Sequence, residues 1–124
     1  MSGTSDRDEH TILVVEDNAL LALDAASSAA AAGFDVVMTA RGGEALAMLD
    51  NRRFRAAILD FEVTDGTTLK LVDKLTHVHI PYCIVSGLPR HHIESQGVPA
   101  RAIRSKPMSY DQVVDELLAS MQVM

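Results

Sequence analysis

Four short apolar runs recur along the chain with helix-length segments between them: "TILVV" (11–15), "FDVVMTA" (34–40), "AAILD" (56–60) and "YCIVS" (82–86). The runs are continuous and do not alternate apolar with polar, which is the pattern of strands buried on both faces. The segments between them carry helical signals. "NALLALDAASSAAAAG" (18–33) combines alanine-rich propensity with Gly33 as a stop. "GGEALAMLDNRR" (42–53) gathers Arg52 and Arg53 at its end, where cations suit the helix dipole. A turn at "TDG" leads to a helix near 67–76, and a short irregular helix is expected around 89–96. "ARAIRS" (100–105) is a weaker fifth strand. "SYDQVVDELLASMQ" (109–122) closes the series with a capping box of Ser109 and Gln112. Val113, Val114, Leu117 and Met121 recur there at helical spacing. Five strands alternating with helices specify an α/β domain, a doubly wound five-stranded parallel sheet flanked by helices on both faces.

In open sheets of this kind the working crevice lies beyond the carboxyl ends of the strands. Glu16 and Asp17 follow the first strand, Asp60 ends the third, Ser86 ends the fourth, and Lys106 follows the fifth. Three carboxylates brought together repel one another unless a cation sits among them. A hard, oxygen-seeking ion suits the set, and Mg²⁺ takes one or two carboxylates together with phosphate oxygens. Lys106 supplies a point charge for a phosphoryl oxygen, and Ser86 adds a hydrogen bond. A carboxylate can act as the nucleophile and become an aspartyl phosphate. The set therefore reads as a site for Mg²⁺-assisted phosphoryl transfer.

Composition narrows the partners. A net charge of −6 argues against a nucleic-acid surface, where Lys and Arg must neutralise phosphates. The single cysteine, Cys83, lies in an apolar run and reads as core filler; it leaves no internal disulfide and fits a reducing cytoplasm. No stretch approaches the roughly 20 apolar residues of a membrane span. "MSGTSDRDEH" (1–10) is polar and of mixed charge, unlike a signal peptide, and is expected to be a disordered tail before a domain at 11–124. His77, His79, His91 and His92 lack a partner cluster and read as surface residues.

Taken with their order, these stretches resemble the receiver domains of two-component response regulators, of flavodoxin-like fold. "LVVEDN" (13–18) is similar to the family's first strand with its acidic pair, and "AILDFEVTDG" (57–66) to its phosphoacceptor strand and loop. "IVSG" (84–87) resembles the switch-hydroxyl strand, and "SKPM" (105–108) the Lys-Pro motif. The resemblance implies Asp60 as phosphoacceptor, with Glu16 and Asp17 as Mg²⁺ ligands and the backbone carbonyl of Glu62 as a further ligand. It implies Ser86 as the switch hydroxyl and Lys106 as the family's lysine. It also implies a histidine kinase or histidine phosphotransfer protein as phosphoryl donor, a downstream protein partner, and no enzymatic activity beyond self-catalysed phosphoryl transfer and autodephosphorylation. The sequence ends at Met124, so a stand-alone receiver is expected, a monomer or weak homodimer in the cytoplasm.

Three features depart from the family pattern. The loop after Asp60 has no proline and reaches Gly66 early, so it is shortened. Ile103 stands where the family usually has Tyr or Phe. "GLPRHHIESQGVPAR" (87–101) carries two prolines and two glycines, which points to a weak helix. Two other readings follow: a phosphorylation-independent scaffold, and a small Mg²⁺-dependent aspartyl-phosphate phosphohydrolase. The latter usually carries Asp-x-Asp on its first strand and a cap segment, and neither is present. A dinucleotide-binding module is disfavoured because strand 1 runs into "VEDN" and not into a glycine-rich turn. "AASSAAAA" (25–32) carries no charge, and a smooth first helix would let another helix approach closely.

Overall fold

The computed structural model describes residues 10–122; the expected N-terminal tail lies, but for His10, outside the described residues. Five parallel strands form one sheet: β1 (Thr11–Val15), β2 (Asp35–Thr39), β3 (Ala56–Leu59), β6 (Tyr82–Ser86) and β7 (Ile103–Ser105), in spatial order β2-β1-β3-β6-β7. A separate two-stranded hairpin, β4 (Glu62–Val63) with β5 (Gly66–Thr67), stands directly after β3. The helices are α1 (Ala19–Ala31), α2 (Gly42–Asn51), α3 (Leu69–His77), α4 (Arg90–Glu94) and α5 (Tyr110–Gln122).

The apolar runs bury both faces by simple alternation. Ile12, Val14, Ala56, Ile58, Cys83 and Val85 point to one side, where Ala25 and Ala29 of α1 and Val113, Val114 and Leu117 of α5 cover them. Leu13, Val15, Ala57, Leu59, Ile84 and Ile103 point to the other, against Ala45 of α2, Leu71 and Leu75 of α3, and Ile93 of α4. Part of the alanine stripe is thus internal: Ala25 and Ala29 are fully buried, because small side chains let α1 sit close to its own core. Leu20 and Leu23 are the large apolar residues that this helix exposes, at 78% and 57% of full exposure. Cys83 is buried in the core, and that burial pushes its thiol up to about 11.

Several local expectations shift. The second helix ends at Asn51, so Arg52 and Arg53 lie beyond it. Arg52, at the C-cap position, stacks over the Phe54 ring at 4.7 Å, and Arg53 Nη1 donates to the Val78 carbonyl at 2.8 Å. Only the last half of "ARAIRS" is strand: Ala100–Ala102 form a 3₁₀ turn before Ile103–Ser105. Gln112 turns its amide to Glu116 Oε2 at 3.2 Å, an i,i+4 pair within α5. The segment 87–99 holds a five-residue helix and two buried anchors, Ile93 and Val98.

Candidate functional site

Strand order creates the site. From β1 the chain crosses to β2 on one side and later to β3 on the other, so a crevice opens between the carboxyl ends of β1 and β3. Val15 pairs with Leu59, which sets the next residues, Glu16 and Asp60, side by side; the Asp60 N–H donates to the Val15 carbonyl at 2.9 Å. Carboxylate oxygens of Glu16, Asp17 and Asp60 all lie within 4.8 Å of one another. Lys106 reaches across from beyond β7. Its Nζ donates to Asp60 Oδ2 at 3.0 Å and to Glu16 Oε1 at 3.4 Å.

Each carboxylate has a distinct environment. Glu16 is buried, takes a hydrogen bond from the Asn18 N–H at 3.1 Å, and meets the Tyr110 hydroxyl at 3.5 Å. Asp17 is exposed and accepts a long contact from Thr64 Oγ1 at 3.5 Å. Asp60 is partly buried; its Oδ1 accepts from the Phe61 N–H at 2.7 Å. Burial raises the Glu16 carboxyl above its ordinary value, and the neighbouring Asp60 charge adds to this against the Asn18 and Lys106 contacts. Burial works to lower Lys106, but Asp60 and Glu16 outweigh it and the ammonium is held more firmly than usual. Tyr110 is raised by burial and by Glu16, so it stays a neutral phenol.

The raised Glu16 sets a pH prediction. A carboxyl raised in the folded state contributes stability that is fully present below its unfolded value, 4.5, and is lost as pH rises through the folded value. Ionised Glu16 therefore costs the metal-free fold at neutral pH. In EDTA, Glu16→Gln should raise the urea midpoint at pH 7.5, and the gain should shrink toward pH 4. An equal gain at both pH values would show that charge is not the cause.

The remaining sequence candidates lie at the same edge. Ser86 is buried at the end of β6; its Oγ accepts from the Leu88 N–H at 3.2 Å, and its carbonyl accepts from the Lys106 N–H at 2.8 Å. The Glu62 side chain is exposed, and its backbone is the informative part. The Thr68 N–H donates to the Phe61 carbonyl at 2.9 Å, so Phe61 and Thr68 form a hydrogen-bonded pair of the hairpin. Bonded and non-bonded pairs alternate in antiparallel ladders, which leaves Glu62 and Thr67 as a non-bonded pair. The Glu62 carbonyl thus stays outside the ladder, as a metal ligand must. Three carboxylates with one oxygen each within 4.8 Å of the others, and a spare carbonyl on the adjoining loop, form a hard-oxygen set that fits a divalent cation.

Sequence reading missed three residues here. Thr68 is buried and its hydroxyl donates to the Asp60 carbonyl at 2.8 Å, fixing the backbone that carries the carboxylate. Tyr110 reaches Glu16 across 94 positions. Asp65 holds the hairpin turn to the start of α2, its carboxylate accepting from the Gly42 and Gly43 N–H groups at 2.8 and 3.0 Å. Only Thr68 had a local signal, a hydroxyl residue just before a helical run.

Fold and site together define a doubly wound α/β domain with an acidic, lysine-bridged site at the switch point of its sheet. The chain has the fold of response regulator receiver domains. A response regulator receiver protein of Sinorhizobium medicae superposes with a TM-score of 0.81 at 25% identity, covering 90% of this chain and 94% of that one. A CheY-like receiver domain protein of Methanospirillum hungatei gives 0.79 at 21% identity, over 91% and 94% of the two chains. The receiver domain of the Erythrobacter litoralis PhyR response regulator gives 0.78 at 15% identity, over 93% and 91%. No protein-family model matches the chain, and no curated protein matches it. Among the described residues no helix is long and apolar enough to cross a membrane.

Proposed function

We propose that this chain is a phosphoryl-accepting receiver: Asp60 takes a phosphoryl group from a histidine kinase or histidine phosphotransfer protein and the change is read by a protein partner. The observation that carries this reading is the Lys106 ammonium bridging Asp60 and Glu16 beside Asp17. An Asp60 carboxylate oxygen attacks phosphorus, forming the O–P bond as the N–P bond of the donor phosphohistidine breaks. The electron pair and a proton from solvent go to the imidazole nitrogen. Lys106 is placed to follow the charge from the carboxylate to a phosphoryl oxygen, and Ser86 to offer its hydroxyl to another. Glu16, Asp17, Asp60 and the Glu62 carbonyl would hold Mg²⁺, which when bound neutralises the phosphoryl oxygens. The exposed Leu20 and Leu23 of α1 suit docking of the donor in the cytoplasm. Intact mass after incubation with acetyl phosphate tests the reading: one phosphoryl group per chain with Mg²⁺, and none with EDTA.

The signal leaves through the segment after Ser86. Ile103 is buried and has neither ring nor hydroxyl to offer, so an aromatic switch on β7 is absent. A ring that does meet the response segment is Phe61, next to Asp60, set edge-on to His92 of α4 with ring centres 6.5 Å apart. Beryllofluoride, an aspartyl-phosphate mimic, should change hydrogen exchange at 87–99 more than at 100–105. Changes concentrated at 100–105 would refute this route.

A further inference from the structure

The shortened loop after Asp60 is a hairpin of two residues per strand, turned by Thr64 and Asp65. So small a hairpin does not hold itself in place. Its two turn residues are tied in different directions: Thr64 Oγ1 to Asp17 Oδ2 on the site side, and Asp65 to the first amides of α2. Helix α2 has no cap of its own, since Arg41 at the N-cap position makes no side-chain bond. Asp65 supplies that cap from 22 and 23 positions away. Of the two glycines there, Gly43 is the one that eases the approach, and Gly42 would tolerate a side-chain carbon. A Cβ on Gly43 would lie 3.2 Å from Asp65 Oδ2, and one on Gly42 3.7 Å from Oδ1. Gly66, at φ +121°, then turns the chain back into β5.

From this geometry we infer that Asp65 is a positioning residue for the metal-binding side of the site, holding the hairpin so that the Glu62 carbonyl and Thr64 hydroxyl keep their places beside Asp17 and Asp60. The inference rests on the metal-assisted reading above. A helix cap alone would contribute only stability. Asp65 differs because its tie is the hairpin's anchor on the side away from the site. The Glu62 carbonyl has no ladder partner to fix it, so its direction follows the tilt of the whole hairpin. Residues that orient metal ligands from behind are worth roughly 10–100-fold in metal affinity.

Amide NMR of the full chain, titrated with Mg²⁺ well below the melting temperature, separates positioning from stability. In wild type, amides of 16–17 and 60–67 should shift on saturation. Asp65→Ala should lose the capped-amide positions of Gly42 and Gly43 in the apo protein and bind Mg²⁺ about tenfold more weakly. Asp65→Asn keeps one oxygen acceptor, and Gly43→Ala only crowds the carboxylate. Both should fall between, and both serve if Asp65→Ala does not fold. A folded variant whose cap is lost while Mg²⁺ affinity stays at the wild-type value overturns the proposal. Wild type that binds no Mg²⁺ overturns it together with the metal site. Wild type that binds Mg²⁺ yet takes no phosphoryl from acetyl phosphate overturns the phosphoacceptor reading alone, and the affinity ratio still decides the role of Asp65.

Discussion

Asp60→Asn should take up no phosphoryl group from acetyl phosphate under conditions where wild type takes one. Among the described residues, Asp60 is the carboxylate that both ends a central strand and accepts the Lys106 ammonium at 3.0 Å. An amide is a poor nucleophile toward phosphorus, so the effect is all or none. Lys106→Met leaves the nucleophile intact and removes the charge that follows it. The loss of one preorganised donor to a developing anion costs about 100–1,000-fold in rate. Uptake by Lys106→Met should therefore be slow but complete at long times. Time courses of intact mass distinguish the two variants. A phosphoryl group retained by Asp60→Asn places the acceptor elsewhere, and a Lys106→Met rate equal to wild type removes the lysine from the mechanism.

The second large effect concerns stability without metal. Glu16, Asp17 and Asp60 bring three negative charges together, and Lys106 answers with one positive charge. Like charges about 4 Å apart cost between about 1 kcal/mol in water and about 4 kcal/mol near a protein surface. Asp17 is the cleanest site to test, because it is exposed and, among the described residues, its side chain holds only the long Thr64 contact. Asp17→Asn should raise the melting temperature in EDTA by several degrees, since about 1 kcal/mol corresponds to roughly 4 °C in a domain of this size. Wild type should gain about 1.4 kcal/mol at Mg²⁺ ten times its dissociation constant, because the ion binds only the folded state. Asp17→Asn should show most of that shift abolished. Calorimetry with EDTA or millimolar Mg²⁺ checks both halves. A wild type that melts at the same temperature in both conditions has no metal site here.

The two effects share one cause. On the proposed function, the arrangement expected to destabilise the metal-free protein is also the one that would accept a phosphoryl group once a cation is bound. Thr68 and Lys106 keep the carboxylates together against their repulsion: Thr68 through the Asp60 backbone, Lys106 through the side chains.

What the sequence determined by itself was set by local patterns. The continuous runs at 11–15, 56–60 and 82–86 have the length and β-branched content of strands covered on both faces, and the helices between them point to a parallel sheet. With the sheet fixed, the residue ending each strand is known, and so Glu16, Asp17, Asp60, Ser86 and Lys106 could be named together. Continuous runs do not reveal which alternate residues face which layer; that was decided when Ala25 and Ala29 packed against one face and Leu71 and Leu75 against the other. Nor could local signals show that Arg52 and Arg53 fall past the helix end, because a ring at Phe54 and a carbonyl at Val78 compete for them. The Asp65 tie to Gly42 and Gly43 and the Tyr110 contact with Glu16 were likewise decided by tertiary structure. These are hydrogen bonds between segments far apart in the chain. A bond of that kind leaves no period or spacing in the sequence, since its geometry exists only after the sheet has brought its strand ends together.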